Sequence, residues 1–563
     1  MANLLRRRPA TGTRDADTHI IRGLGLHESY QLAVQTLDQY RGTVVACRYR
    51  LPGGLNSPEN AGPLKVRFYE AVVRVVLAQP HMQTGVVGET SKKPKLVRLD
   101  KLKLRNHVDW VVLDGSDDPN ARYLEELQTN LDTTFSDLAT QPGWRVVVLH
   151  QAGSDRLDVI YLWSHTHHDG MSGKMFHQQL LRNLNTKVDS GTRLATLTQE
   201  DPDQWIIDLP DSSNKLPPPP EHICAFPTTV PFLAKNLFKE LKPPAIFPPG
   251  DTYALWAPIK TSPFKTWFHT FTLGHETVAK VVDACRQHQT TVTGLLHVLV
   301  LLSLTSGLKD AKGFASRTPY NLRPILPSHP RKYPWLEPKE TMCNYVSVTD
   351  HVFNAGLVAS IRAKLAVPAQ TKGEVSEEEA AAGTGGENNR PLSADLLDIV
   401  WSTSARVRRE IKDRLTSGVK NDLIGIMKFA PEWKALMKNE ARKPRFLSWL
   451  VTNVGVLDGR EGAREVEVIA DAEKTQTAET QERGEEGEDG RGKEDGQGWS
   501  ICRGELLLSA DVASAAIQIS VMTAQDEQMA VTCSWQDCVV DPGLGRCLVD
   551  DLERWLNEIG SSA

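Results

Sequence analysis

The sequence predicts an α/β, layered α+β, fold. Three observations carry that expectation. A strong hairpin pattern runs directly into an amphipathic helix, strand-like and helix-like segments alternate through both halves, and the 563-residue length exceeds what one hydrophobic core usually organises. Two large subdomains are therefore expected: residues 1–208, a proline-rich crossover at 209–260, and residues 261–563.

The elements follow in order. Residues 28–40 read as a helix, and Thr43-Val-Val-Ala-Cys-Arg-Tyr as a strand. Leu64–Leu77 repeats apolar residues at helical spacing. Arg145-Val-Val-Val-Leu-His, a turn at Gly153-Ser-Asp, and Leu157-Asp-Val-Ile-Tyr-Leu-Trp-Ser read as a hairpin. Its second strand is apolar on both faces, which predicts a central, doubly covered strand. Ser172 is the expected N-cap of a helix carrying Met175, Phe176, Leu180, Leu181 and Leu184. From Leu209 to Gly250 prolines accumulate, including the run Pro217–Pro220, and little regular structure is expected.

The second half opens with the alternating strand Lys265–Leu273. A helix through Val278, Val281, Val282 and Cys285 follows, and then a helix with Thr293 as candidate cap. The end reads as a hairpin, Ala516–Val521 with Met529–Trp535, and a last helix from Gly543 to Ile559. Thr371–Arg390 and Gly459–Gly498 carry too few large apolar groups to offset chain entropy and are expected to be disordered insertions. The second holds 13 acidic and 6 basic residues, so it accounts for more than the whole net charge of −5. That balance gives no footprint for nucleic acid, and Arg6-Arg7-Arg8 reads as a solvated terminus.

Eight cysteines without a CxxC pair point to reduced thiols in an intracellular chain. The longest apolar run, Leu295–Leu304, is too short to span a bilayer. A cytoplasmic monomer is expected, with peripheral contact to an internal membrane left open.

The segment Ser164-His165-Thr166-His167-His168-Asp169-Gly170-Met171-Ser172 carries the chemistry. His165 stands where a strand meets a helix, and imidazole titrates near neutral pH, so it is the candidate general base. Asp169 would lock the loop, and Gly170 would let the backbone turn and leave room for substrate. One such base suffices to deprotonate an alcohol or amine attacking a thioester, with no covalent acyl-enzyme. A zinc hydrolase competes with this reading, because His165, His167, His168 and Asp169 nearly match a HxHxDH signature. Gly170 breaks that signature, and His222 is the one near candidate for a further ligand. A binding protein with His165 idle is the third class. His167 and His168 are expected one toward the core and one toward the channel mouth, and His297 as a hydrogen-bonded core residue.

Several pieces in order carry a family resemblance. They are Arg22-Gly-Leu-Gly-Leu-His-Glu-Ser-Tyr, His165-x-x-x-Asp169-Gly170-Met-Ser172, Cys285-Arg-x-His-x-Thr-Thr-Val-Thr-Gly-Leu-Leu-His297, Asn321-Leu-Arg323-Pro-x-Leu-Pro327, Met342-Cys-Asn344-Tyr345 and Thr452-Asn453-Val-Gly455-Val. Through them the chain resembles the fungal alcohol acetyltransferases, within the CoA-dependent acyltransferases of chloramphenicol acetyltransferase fold. The plant-type DFGWG motif of that superfamily is absent, with Asn453-Val-Gly-Val in its place. The resemblance implies two related subdomains with mixed sheets and a channel between them. It implies acetyl-CoA as co-substrate with no permanently bound cofactor or metal, and a small alcohol or amine as acceptor, so that O-acetyl and N-acetyl transfer both stay open. It also implies that Asp169 pairs with an arginine, for which Arg323, Arg145 and Arg156 are the candidates. Asn344, Tyr345 and Asn453 then either line the channel or satisfy backbone groups, and Ser172 is a cap first and an oxyanion donor second.

Overall fold

The computed structural model describes residues 19–186, 202–241, 250–254, 256–366, 392–430, 432–460 and 498–562. Residues 371–390, most of 459–498 and the arginines at 6–8 lie outside the described residues.

Two large mixed sheets organise the chain. The first runs in the order Ser500–Leu508, Gly42–Arg50, Arg156–Ser164, Trp144–Gln151, Val108–Leu113. Its pairs are antiparallel except the last, which is parallel. The second runs in the order Thr266–Gly274, Gln528–Gln536, Ile517–Ala524, Trp449–Leu457, Phe314–Asn321, Val346–Phe353. Trp449–Leu457 is parallel to both of its neighbours. Strand Ser500–Leu508 comes late in the chain yet pairs with Gly42–Arg50, so the first sheet is not built from one contiguous segment.

The continuous apolar run of Arg156–Ser164 has a direct cause. Val159 and Tyr161 face helices Ala61–Ala78 and Gly170–Asn185, packing with Phe68, Val72, Phe176 and Leu180. Ile160 and Leu162 face the opposite way, with Leu127 and Leu131 of helix Pro119–Leu131. The strand is central and covered on both faces, which is why every second residue is not polar. The preceding turn holds Gly153 at φ +79°, a backbone setting that a side chain resists. In the second half, helix Val292–Gly307 is buried all round between its sheet and helices Ala394–Thr416 and Pro542–Ser562. Its cap is Thr291, whose side chain accepts from Gly294 N–H, and not Thr293.

The proline-rich stretch departs from expectation. It contains the helix Val230–Leu241, and Leu216–Pro220 is buried. Polyproline geometry leaves backbone carbonyls free, and here they are used. Pro217 O accepts from Arg22 and Pro218 O from the Tyr345 hydroxyl. The segment is a wall of the structure as well as a connection.

Among the described residues no single helix is long and apolar enough to cross a membrane. All eight cysteines are free thiols, five of them buried.

Gly459 O accepts from Ile501 N–H at 2.8 Å, so the chain returns beside the point where it departs toward residue 461. Replacing residues 462–497 by a short Gly/Ser linker is therefore expected to shift unfolding stability by less than ~1 kcal/mol, since loop closure changes by only ~0.6 kcal/mol per doubling of length. Denaturant unfolding of the shortened chain checks this. A loss of several kcal/mol would show that the replaced segment packs against the fold.

Candidate active site

The candidate site lies where the two halves meet. Strand Arg156–Ser164 ends at Ser164, a tight turn follows with His167 N–H donating to Ser164 O, and helix Gly170–Asn185 begins. The true N-cap of that helix is Asp169, whose side chain accepts from Ser172 N–H at 2.9 Å. Both Asp and Ser are good caps, so the local pattern alone misplaces the start by three residues. Ser172 sits in the first turn. Its hydroxyl lies 2.9 Å from Asp169 Oδ1 and 2.8 Å from Cys343 O, and it accepts from Cys343 N–H.

Asp169 is the hub. Its carboxylate receives Arg323 Nη1 at 2.7 Å and Nη2 at 3.1 Å, plus Tyr345 N–H at 2.8 Å. The side chains of Asp169 and Arg323 are 3% and 2% exposed. Burial alone would raise the Asp169 pKa; the Arg323 charge and the donated hydrogen bonds outweigh it and hold the carboxyl below its usual value. Arg323 also donates to the carbonyls of Thr341 and Cys343. Of the three arginine candidates, Arg323 is thus the partner, while Arg145 pairs with Asp109 and Arg156 with Asp155.

This pair tethers the loop of the first half to the segment 341–345 of the second. Asn344 then reaches back, and its Nδ2 donates to His165 O at 2.5 Å. Tyr345 turns the other way, its hydroxyl buried against Pro218 O. Asn453 stabilises a bulge in strand Trp449–Leu457, where its Oδ1 accepts from Gly455 N–H and its Nδ2 donates to Thr293. Gly455 takes φ +75° there. The bulge brings Val454 over the helix start, 3.2 Å from where a Cβ on residue 170 would sit. Gly170 is needed for that close approach and does not adopt a positive φ.

His165 is partly buried, between the rings of His27 at 6.1 Å and Tyr40 at 5.9 Å. Burial lowers its pKa below the usual 6.5; a hydrogen bond to its own backbone carbonyl and the charge of Asp169 oppose this in part. Within one residue it is Nδ1 that lies nearer that carbonyl, and a proton there would leave the lone pair on Nε2. The Asn344 amide lies 3.4 Å from Nδ1, too far for a strong bond.

His167 and His168 are both fully buried, and neither faces a channel mouth. Residues 165–167 form a turn, so strand alternation does not apply to them. His168 Nδ1 bonds the Tyr161 hydroxyl, and its carbonyl accepts from Trp163. His167 packs against Gly143. The three histidines thus contact different neighbours, and among the described residues no group of three or more His, Cys, Asp or Glu is gathered to hold a metal ion. His297 is a core residue that hydrogen-bonds Ser316, Thr318 and Trp449. His27 belongs to the piece Arg22-Gly-Leu-Gly-Leu-His-Glu-Ser-Tyr but has no role from the sequence, and Tyr40 is in none of the pieces; only the folded chain brings the two beside His165.

The alcohol acetyltransferase family model matches residues 116–350, which include His165, Asp169, Arg323, Asn344 and Tyr345. The probable alcohol acetyltransferase FCK4 of Fusarium pseudograminearum is 25% identical over 504 residues, covering 87% of this chain and 86% of its own. Among solved structures, TRI3 trichothecene 15-O-acetyltransferase from Fusarium sporotrichioides superposes with a TM-score of 0.63 at 12% identity, covering 96% of this chain and 94% of that one. A mutant starter condensation domain of rhizomide synthetase RzmA in complex with C8-CoA superposes at 0.52 with 11% identity, over 96% and 94% of the two chains. These likenesses support an acyltransferase: residues 116–350 are similar to the alcohol acetyltransferase family, and the chain takes the fold that TRI3 and the condensation domain share.

Proposed function

We propose that the chain is an O-acetyltransferase that moves an acetyl group from acetyl-CoA to a hydroxyl of an alcohol or secondary metabolite, with His165 as general base. The observation that carries this reading is a partly buried histidine where the two halves meet, its backbone carbonyl held by Asn344 and its Nε2 without a hydrogen-bond partner among the described residues. Names of related proteins support the two substrates: TRI3 is a 15-O-acetyltransferase, and the RzmA domain was captured with an acyl-CoA.

In the proposed step the acceptor hydroxyl gives its proton to His165 Nε2 as its oxygen attacks the thioester carbonyl carbon. The tetrahedral oxyanion collapses, the C–S bond breaks, and the CoA thiolate leaves with the proton from Nε2. The new ester and free CoA account for every atom. Asp169 does not touch the reacting atoms, since Arg323, Ser172 and Tyr345 occupy its carboxylate. Its task is to hold the turn that presents His165. Incubation with acetyl-CoA and a panel of alcohols and amines, read by free thiol, tests the reading. Thiol release with alcohols supports it; release with amines alone would replace it with N-acetyl transfer.

A pH prediction follows from the sign of the His165 shift. The neutral form is the base and its pKa is depressed, so activity is full above that value and falls as pH drops through it. The acid limb of kcat/KM is expected at a midpoint below 6.5. A midpoint at or above 6.5 would contradict a desolvated base.

A further inference from the structure

Resting on the His165 reading, we propose that His27 is a second catalytic residue, whose ring N–H donates to the oxyanion that forms beside His165. His27 lies in the first turn of helix Leu26–Thr36, and its neighbour Glu28 fixes that turn firmly. The Glu28 carboxylate accepts from Gly25 N–H at 2.6 Å and takes both Arg22 nitrogens at 2.7 and 2.8 Å. A rigid start to the helix therefore aims the ring. It stands edge-on to His165, at 6.1 Å between centroids and 71° between planes. At that separation, with the acceptor hydroxyl at His165 Nε2, the carbonyl oxygen of the thioester it attacks can sit within hydrogen-bond reach of the His27 ring.

The tautomer supports the role. His27 Nδ1 and Asn344 Oδ1 are both buried outside hydrogen-bond geometry, while the Asn344 side chain lies near enough to favour the protonated ring in part. A buried unpaired N–H is costlier than an unpaired lone pair, which puts the proton on Nε2. The ring is also neutral, because burial and then the neighbouring His165 hold its pKa down to about 3. It therefore cannot compete with His165 for the acceptor proton, and it acts as a neutral donor to developing negative charge.

The test compares His27→Ala and His27→Gln with the unaltered protein, measuring thiol release and thermal unfolding. For His27→Ala, kcat is expected to fall about 100-fold or more with KM for acetyl-CoA changed less than about threefold, the loss typical of one oxyanion donor. His27→Gln keeps an N–H and is expected to recover at least part of that loss. A His27→Ala protein with kcat within about threefold of normal would overturn the proposal. So would a loss confined to KM, or one that Gln fails to relieve at normal unfolding temperature. If His165→Ala is inactive while His27→Ala is normal, only this inference falls; if both are normal, the general-base reading falls with it.

Discussion

Asp169→Ala is expected to destabilise the protein by ~3–5 kcal/mol, the usual cost of removing one member of a buried ion pair. The reason is what remains. The Arg323 guanidinium, 2% exposed, loses its counter-charge while still enclosed by the carbonyls of Thr341 and Cys343. Tyr345 N–H and Ser172 N–H lose their acceptor in the same step. Activity should fall too, because the pair joins the His165 turn to the segment 341–345 that bonds His165 O. The double variant Asp169→Ala with Arg323→Met removes both charges, and is expected to regain a large part of the stability without regaining the activity. Denaturant unfolding checks both. If Asp169→Ala unfolds at the same denaturant concentration as His165→Ala, the carboxylate is not the tether described above.

How much of this was legible beforehand depended on distance along the chain. The hairpin Trp144–Gln151 with Arg156–Ser164 and the helix after it could be read, because strand alternation and helical periodicity are local signals. The His165 turn was visible for the same reason. The Arg323 partnership was not: 154 residues separate it from Asp169, and nearer arginines fit the sequence equally well. Strand Ser500–Leu508 gave no local sign that it would extend the first sheet, since pairing with Gly42–Arg50 is settled by tertiary packing. The run Pro217–Pro220 was read as a linker because proline breaks regular structure. Its free carbonyls nonetheless make it a good acceptor surface for Arg22 and Tyr345. His27 was the hardest to see. It lies 138 positions before His165, and no spacing rule connects them.

The central claim is that His165 removes the acceptor proton. His165→Ala leaves the Asp169–Arg323 pair untouched and takes away a ring that makes few bonds to the protein, so folding should change little. General-base assistance contributes ~10²–10⁴-fold to rate. The most direct measurement is the single-turnover rate of thiol release from acetyl-CoA by His165→Ala with a hydroxyl acceptor that the unaltered protein accepts. The rate is expected to fall at least ~100-fold at unchanged unfolding temperature. A variant that keeps a near-normal rate would contradict the assignment of His165 as the base.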